Sequence, residues 1–135
     1  MYVDFEPSPT RGPCWTDLPG DEALLLWSLR RMVVAWPRCH AVHAALHRRY
    51  GDDAPGVEHL MRCLLTGIAR HATRPVQLGD PACALVLPDE GALLFTLRAS
   101  HDDRRAGAAL EGLCGRASAG ALIPLVVALA GFIGA

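Results

Sequence analysis

Three features of the sequence predict an all-α fold, a compact bundle of five or six helices. Apolar residues recur at helical spacing through most of the chain. Carboxylate pairs and prolines stand where such runs begin, and glycines stand where they end. A proline-crowded start and one stretch without period add an extended N-terminal arm and a single irregular crossover to the predicted architecture.

The arm covers residues 1–20, where Pro7, Pro9, Pro13 and Pro19 accompany Gly12 and Gly20. Proline has no N–H to donate, so this segment enters neither a helix interior nor a central strand. Phe5 and Trp15 are the side chains with enough apolar area to pin it to the body. Residues 21–135 form a single helical domain, and a chain of 135 residues buries about two thirds of its unfolded surface.

Asp21 and Glu22 give the first helix a negative first turn, and Leu25, Leu29, Met32 and Trp36 then recur on one face until Pro37 stops it. Pro37 can also open a second helix, Arg38 to Tyr50, with Cys39, Val42, Leu46 and Tyr50 as its stripe and Gly51 as its end. The segment Asp52-Asp53-Ala54-Pro55-Gly56 offers an aspartate cap to a third helix. Its apolar face is Val57, Leu60, Met61, Leu64, Leu65 and Ile68, and Arg74-Pro75 closes it.

Between Pro75 and Pro88 the helical period disappears. Val76-Gln77-Leu78, a Gly79-Asp80-Pro81 turn and Ala82 to Leu87 could make a hairpin, but two strands are too few to stand alone, so an irregular packed crossover is expected. Asp89-Glu90 open a fourth helix running to about Ser100 through Leu93, Leu94 and Leu97. Asp102-Asp103 open a fifth that ends at Gly115. The last helix, near Gly120 to Phe132, holds Pro124 in its first turn, where a missing N–H is tolerated.

A net charge of -1, from thirteen basic and fourteen acidic residues, provides no global field to attract nucleic acid or an anionic membrane. Every basic residue is arginine, and lysine and asparagine are absent, as a GC-rich genome would produce. The pairs Arg30-Arg31, Arg48-Arg49 and Arg104-Arg105 therefore read as solvated faces. The start MYVDFEPSPTRGPCW lacks the basic region and apolar run of a secretory signal, and the five scattered cysteines make neither a disulfide framework nor a zinc knuckle. A cytoplasmic protein with free thiols is expected.

The stretch CHAVHAALH, residues 39–47, holds three of the six histidines. At about 100° per residue His40, His43 and His47 share one flank of the second helix. His43 and His47, at i and i+4, can reach one metal ion, with His40 or Cys39 as a further ligand and His59, His71 or a partner chain to complete a zinc, nickel or haem site. No H-E-x-x-H, no carboxylate within a turn and no second Cys/His pair accompanies them, so the plainer expectation is half-wet histidines at a helix boundary with no bound cofactor. Cys39 with His40 or His43 as nucleophile and base is weaker still, since sequence neighbours on a helix rarely point at one another and no oxyanion-stabilising loop is visible. The pairs Asp52-Asp53, Asp89-Glu90 and Asp102-Asp103 sit at helix starts and read as caps rather than acid-base pairs. Phosphate-loop, dinucleotide and serine-elbow signatures are absent, so no catalytic residue is assigned.

Residues 117–135, ASAGALIPLVVALAGFIGA, carry no charge and as one helix would span about 28 Å, close to a bilayer core. Six alanines, three glycines, Pro124 and a lone flanking Arg116 argue against a membrane tail anchor. A helix apolar on every side is instead buried at the centre of the bundle or at a subunit interface. Leu122, Leu125, Val126, Leu129, Phe132 and Ile133 are the candidate interface residues of a homodimer.

The segments LLLWSLRRMV (Leu24 to Val33), CHAVHAAL, RPVQLGDPAC (Arg74 to Cys83), DEGALLFTLRA (Asp89 to Ala99) and ASAGAL (Ala117 to Leu122) together resemble a family of small uncharacterised helical proteins of proteobacteria, a domain of unknown function. The resemblance covers most of the chain from about residue 18. It implies an all-helical fold and a cysteine cluster after the Arg-Pro segment, of which this chain has only Cys83, and it implies no activity. The function expected is that of a non-enzymatic protein-interaction module acting as a homodimer. A metal- or haem-binding protein and a tail-anchored protein are the alternatives.

Overall fold

Helices form where the apolar spacing places them in the computed structural model, which describes residues 2–4 and 13–134. A short strand β1 (Tyr2–Asp4) is followed by α1 (Gly20–Val34), α2 (His40–Tyr50), α3 (Ala54–His71), strand β2 (Gln77–Gly79), α4 (Pro88–Arg98), α5 (Asp103–Cys114) and α6 (Ile123–Ile133). Single 3-10 turns at Trp15–Asp17 and Gly51–Asp53 precede α1 and α3, and a two-turn 3-10 helix at Ala117–Leu122 precedes α6. The class is all-α, as expected.

Most of the periodic apolar residues become core, whereas Trp36, beyond the end of α1, is 49% exposed. Leu25, Leu29 and Met32 of α1, Val42 and Leu46 of α2, and Val57, Met61, Leu64 and Ile68 of α3 are all buried. Helix α3 packs on α2 and on α6, while α4 packs on α5. Burial of this kind contributes about 25 cal/mol for each Å² of apolar surface removed from water. It is therefore the main reason these short helices persist in a fold when most would be marginal alone.

Several boundaries differ from expectation for local reasons. Helix α1 ends at Val34, two residues before Trp36, and α2 begins at His40 rather than Arg38. Cys39 keeps extended dihedrals (φ -122°, ψ 120°) as the N-cap, and its carbonyl accepts the first helical bond from His43 N at 3.0 Å. The cap expected of Asp52-Asp53 is not made by a side chain, because Asp53 already has helical dihedrals at the end of a 3-10 turn. Asp102 does cap α5, its carboxylate accepting from the backbone N–H of Arg104 at 3.1 Å and Arg105 at 3.3 Å. The expected glycine stops hold. Gly51 and Gly115 take positive φ values of 59° and 73°, which only glycine adopts without strain.

The crossover between α3 and α4 is irregular as expected, yet its strand finds a different partner from the hairpin considered for it. β2 pairs in parallel with β1, with Tyr2, Val3 and Asp4 opposite Gln77, Leu78 and Gly79. A second contact follows, where Cys14 bridges Leu85 antiparallel, Trp15 N donates to Ala84 O at 2.9 Å and Val86 N donates to Pro13 O at 2.8 Å. The arm thus supplies backbone partners that the crossover lacks within itself. Trp15 packs against the core as a pin, while Phe5 lies outside the described residues.

What fixes the crossover onto the helices is a buried cage around Arg30. The expectation of a solvated Arg30-Arg31 face is corrected: Arg30 is 1% exposed. Its Nε and Nη2 donate to the two oxygens of Glu90 at 2.7 and 2.8 Å, Nη1 donates to Cys83 O at 2.7 Å, and Nη2 also donates to Leu85 O at 2.6 Å. Glu90, fully buried, further accepts from Gly79 N at 2.9 Å and Leu87 N at 2.8 Å. The Leu87 bond is the helix-start role expected of Glu90, and the bidentate pairing with Arg30 is added to it. Burial alone would lower the guanidinium pKa, but the hydrogen bonds and charge of Glu90 outweigh it and hold it above its ordinary value. Gly79 lies so close that a Cβ there would come within 3.0 Å of Arg30 Nη2.

Candidate functional site

The histidine row lies on the outer flank of α2. His40, His43 and His47 are all exposed, and the rings of His43 and His47 lie side by side, 17° from parallel with centroids 6.4 Å apart. The carboxylate that the sequence lacks within a turn arrives from α3. His43 Nδ1 donates to Glu58 Oε2 at 3.1 Å, and Arg62 Nη1 donates to the other Glu58 oxygen at 2.8 Å. Since the carboxylate accepts, Nδ1 carries the proton in neutral His43 and the Nε2 lone pair is left as the second face of the ring.

Cys39 does not join the row. It is 6% exposed and its Sγ accepts from Arg31 Nε at 3.4 Å. Burial works against its thiolate, but Arg31 and the backbone N–H groups of Val42 and Ala41 prevail and set its pKa below the ordinary thiol value. Among the described residues, no three His, Cys, Asp or Glu side chains gather closely enough to hold a metal ion.

A groove of about 500 Å³, which sequence reasoning passed over, opens along α3 beside the Glu58–Arg62 pair and shares Arg62 with it. Its lining is Trp36, His59, Arg62, Cys63, Thr66, Gly67, Arg70, His71, Leu122 and Leu125, so it holds two guanidiniums and two imidazoles and no carboxylate. An apolar cleft of about 330 Å³, lined by Val33, Trp36, Leu65, Thr66 and Ala69, shares Trp36 and Thr66 with it. Cys63 Sγ and His59 Nε2 lie 3.5 Å apart, and His71 Nδ1 is 3.0 Å from Ser118 Oγ. Gly67 is small enough to let Leu122 close against α3, since a Cβ there would collide with the Leu122 side chain. The signal was present as the spacing of His59, Cys63, Thr66 and Arg70 at i, i+4, i+7 and i+11, which places them on one helical face.

The uncharged C-terminal run divides into a 3-10 helix and α6, and no helix among the described residues is long and apolar enough to cross a membrane. Of the six candidate interface residues, Leu122, Val126, Leu129 and Ile133 are buried within one copy, Leu125 is half-buried and Phe132 is 40% exposed. The outward face of α6 is Pro124, Val127, Ala128, Gly131 and Phe132, all exposed and all apolar.

Comparison of the chain with protein-family models, with curated proteins and with solved structures finds no match.

Proposed function

We propose that this chain is a non-enzymatic protein-interaction module of the cytoplasm that acts as a homodimer through the outward face of α6. The observation that carries the reading is that five outward positions of one helix, Pro124, Val127, Ala128, Gly131 and Phe132, present apolar groups to solvent with no charge among them. Surface helices of a monomer ordinarily turn charged residues outward, and an uncharged apolar face can be laid against its own copy without like-charge repulsion. Small residues at Ala128 and Gly131 permit close approach of two helices, with Val127 and Phe132 as the larger contacts.

Sedimentation velocity across a concentration range tests it. The native chain is expected to sediment as a dimer, and the Val127→Glu/Phe132→Glu variant as a monomer of unchanged circular dichroism. A native protein that stays monomeric at high concentration overturns the reading.

One geometric feature favours a second function, binding of a divalent transition metal at His43 and His47. Glu58 on Nδ1 of His43 is the outer partner that metal-bound imidazoles commonly have, because it fixes the tautomer and turns Nε2 toward the metal. His43 and His47 would hold the ion, with the remaining ligands from His40, water or a second copy. Calorimetric titration with zinc of the untagged protein checks this. Binding that disappears in His43→Ala/His47→Ala supports it, and identical titrations of the two proteins end it.

A further inference from the structure

We propose that Cys63 is a site of reversible S-thiolation by carboxylate-bearing disulfides, with the basic groove on α3 seating the incoming anion. Cys63 stands apart from the other four thiols. Cys39 and Cys114 are buried, Cys14 Sγ lies 2.9 Å from Thr16 Oγ1, and Cys83 donates to Leu85 O at 3.5 Å beside the Arg30 cage. Cys63 lines the groove on α3 and faces an imidazole nitrogen, His59 Nε2, at 3.5 Å. That nitrogen, one turn earlier on the same helix, is placed to receive the thiol proton as the sulfur attacks.

The surroundings select the charge of the reagent. Arg70 forms no ion pair among the described residues, Arg62 shares its charge with Glu58, and no carboxylate lines the groove. An anion entering the groove that holds the sulfur therefore meets net positive charge. Trp36, Leu122 and Leu125 supply apolar wall for the rest of the molecule. A partly exposed thiol in an electropositive pocket is the environment in which cysteines react.

The reaction balances without any further oxidant. Cys63 sulfur attacks one sulfur of R–S–S–R, and the new protein–sulfur bond forms as the old disulfide bond breaks. The Cys63 proton passes to His59 Nε2 and then to the departing thiolate, which leaves as R–SH. The disulfide is reduced by the thiol it modifies, and excess R–SH reverses the exchange. This chemistry is independent of the α6 contact, so either can fail without the other.

The test treats the native full-length chain separately with oxidised glutathione, which carries carboxylates, and with cystamine, which is cationic. Sites and rates are followed by intact mass and peptide mapping. Cys63 is expected to be modified first, and the preference for the anionic over the cationic reagent should exceed that of an unstructured cysteine peptide by about tenfold. Arg70→Gln should remove most of that preference by slowing the anionic reagent alone, while His59→Gln should slow both reagents. Circular dichroism confirms that both variants fold. Faster labelling of Cys14 or Cys83, or a reagent preference no greater than that of the free peptide, overturns the proposal.

Discussion

Arg30 and Arg70 are the same residue in opposite circumstances. Arg30 is enclosed, with its charge matched by Glu90 and two further donors taken by the carbonyls of Cys83 and Leu85. Arg70 is exposed on the rim of a groove that holds a thiol, two imidazoles and no carboxylate. A guanidinium whose donors are consumed by its own chain acts as a fastener, whereas one left beside a cavity is available to something that arrives from outside. Substitutions at each place separate these two roles.

The largest effect is expected in the cage. Glu90→Gln leaves the Arg30 charge buried without its counter-ion, and breaking such a pair costs about 3–5 kcal/mol. Urea unfolding measures it. The double variant Arg30→Met/Glu90→Leu should cost less than the sum of the two single changes, since neither charge is then stranded. It will not be neutral, because the carbonyls of Cys83 and Leu85 and the N–H groups of Gly79 and Leu87 lose their partners as well. A single-site loss below about 1 kcal/mol would mean that the crossover is held by its apolar contacts and not by this network.

The two regions also differ in how they could be read. Leu25, Leu29 and Met32 announce α1 because their burial is a periodic local pattern, and Gly115 announces the end of α5 because only glycine suits its dihedrals. Arg30 sits inside that same pattern and gives no sign, since its partners are 53 to 60 residues away. Glu90 was half legible: its place three residues after Leu87 marks a helix start, while its bond to Arg30 depends on tertiary packing. The same distance problem hid Glu58 from His43 and β1 from β2. The histidine row was visible as three rings on one face, whereas the α3 groove required knowing that Trp36 and Leu122, distant in sequence, come to line it.

Intermediate in size is the effect of filling the groove wall. Gly67→Ala drives a methyl group into the end of the Leu122 side chain. The usual overpacking penalty of about 1–3 kcal/mol, less the roughly 1 kcal/mol that alanine gains over glycine in a helix, leaves a net loss of up to about 2 kcal/mol. Gly112→Ala in α5, away from the α6 face, is the control, because nothing lies within 4 Å of its added carbon and alanine favours a helix over glycine by about 1 kcal/mol. Thermal unfolding of the two variants should therefore move in opposite directions. A Gly67→Ala protein stabilised as much as Gly112→Ala would show that Leu122 is free to turn away and that the groove widens without cost.

The smallest effect on stability sharpens the contrast most. Arg70→Gln removes a cation with no ion-pair partner among the described residues, and an exposed substitution of that kind stays within about 0.5 kcal/mol of neutral. The same variant should lose most of the groove's preference for an anionic disulfide, so one change leaves the fold intact and alters the chemistry. If Arg70→Gln instead destabilises the chain by an amount comparable with Glu90→Gln, then Arg70 is a fastener too. The groove would then lack a cation free to receive a ligand, and the division of labour between the two arginines would be lost.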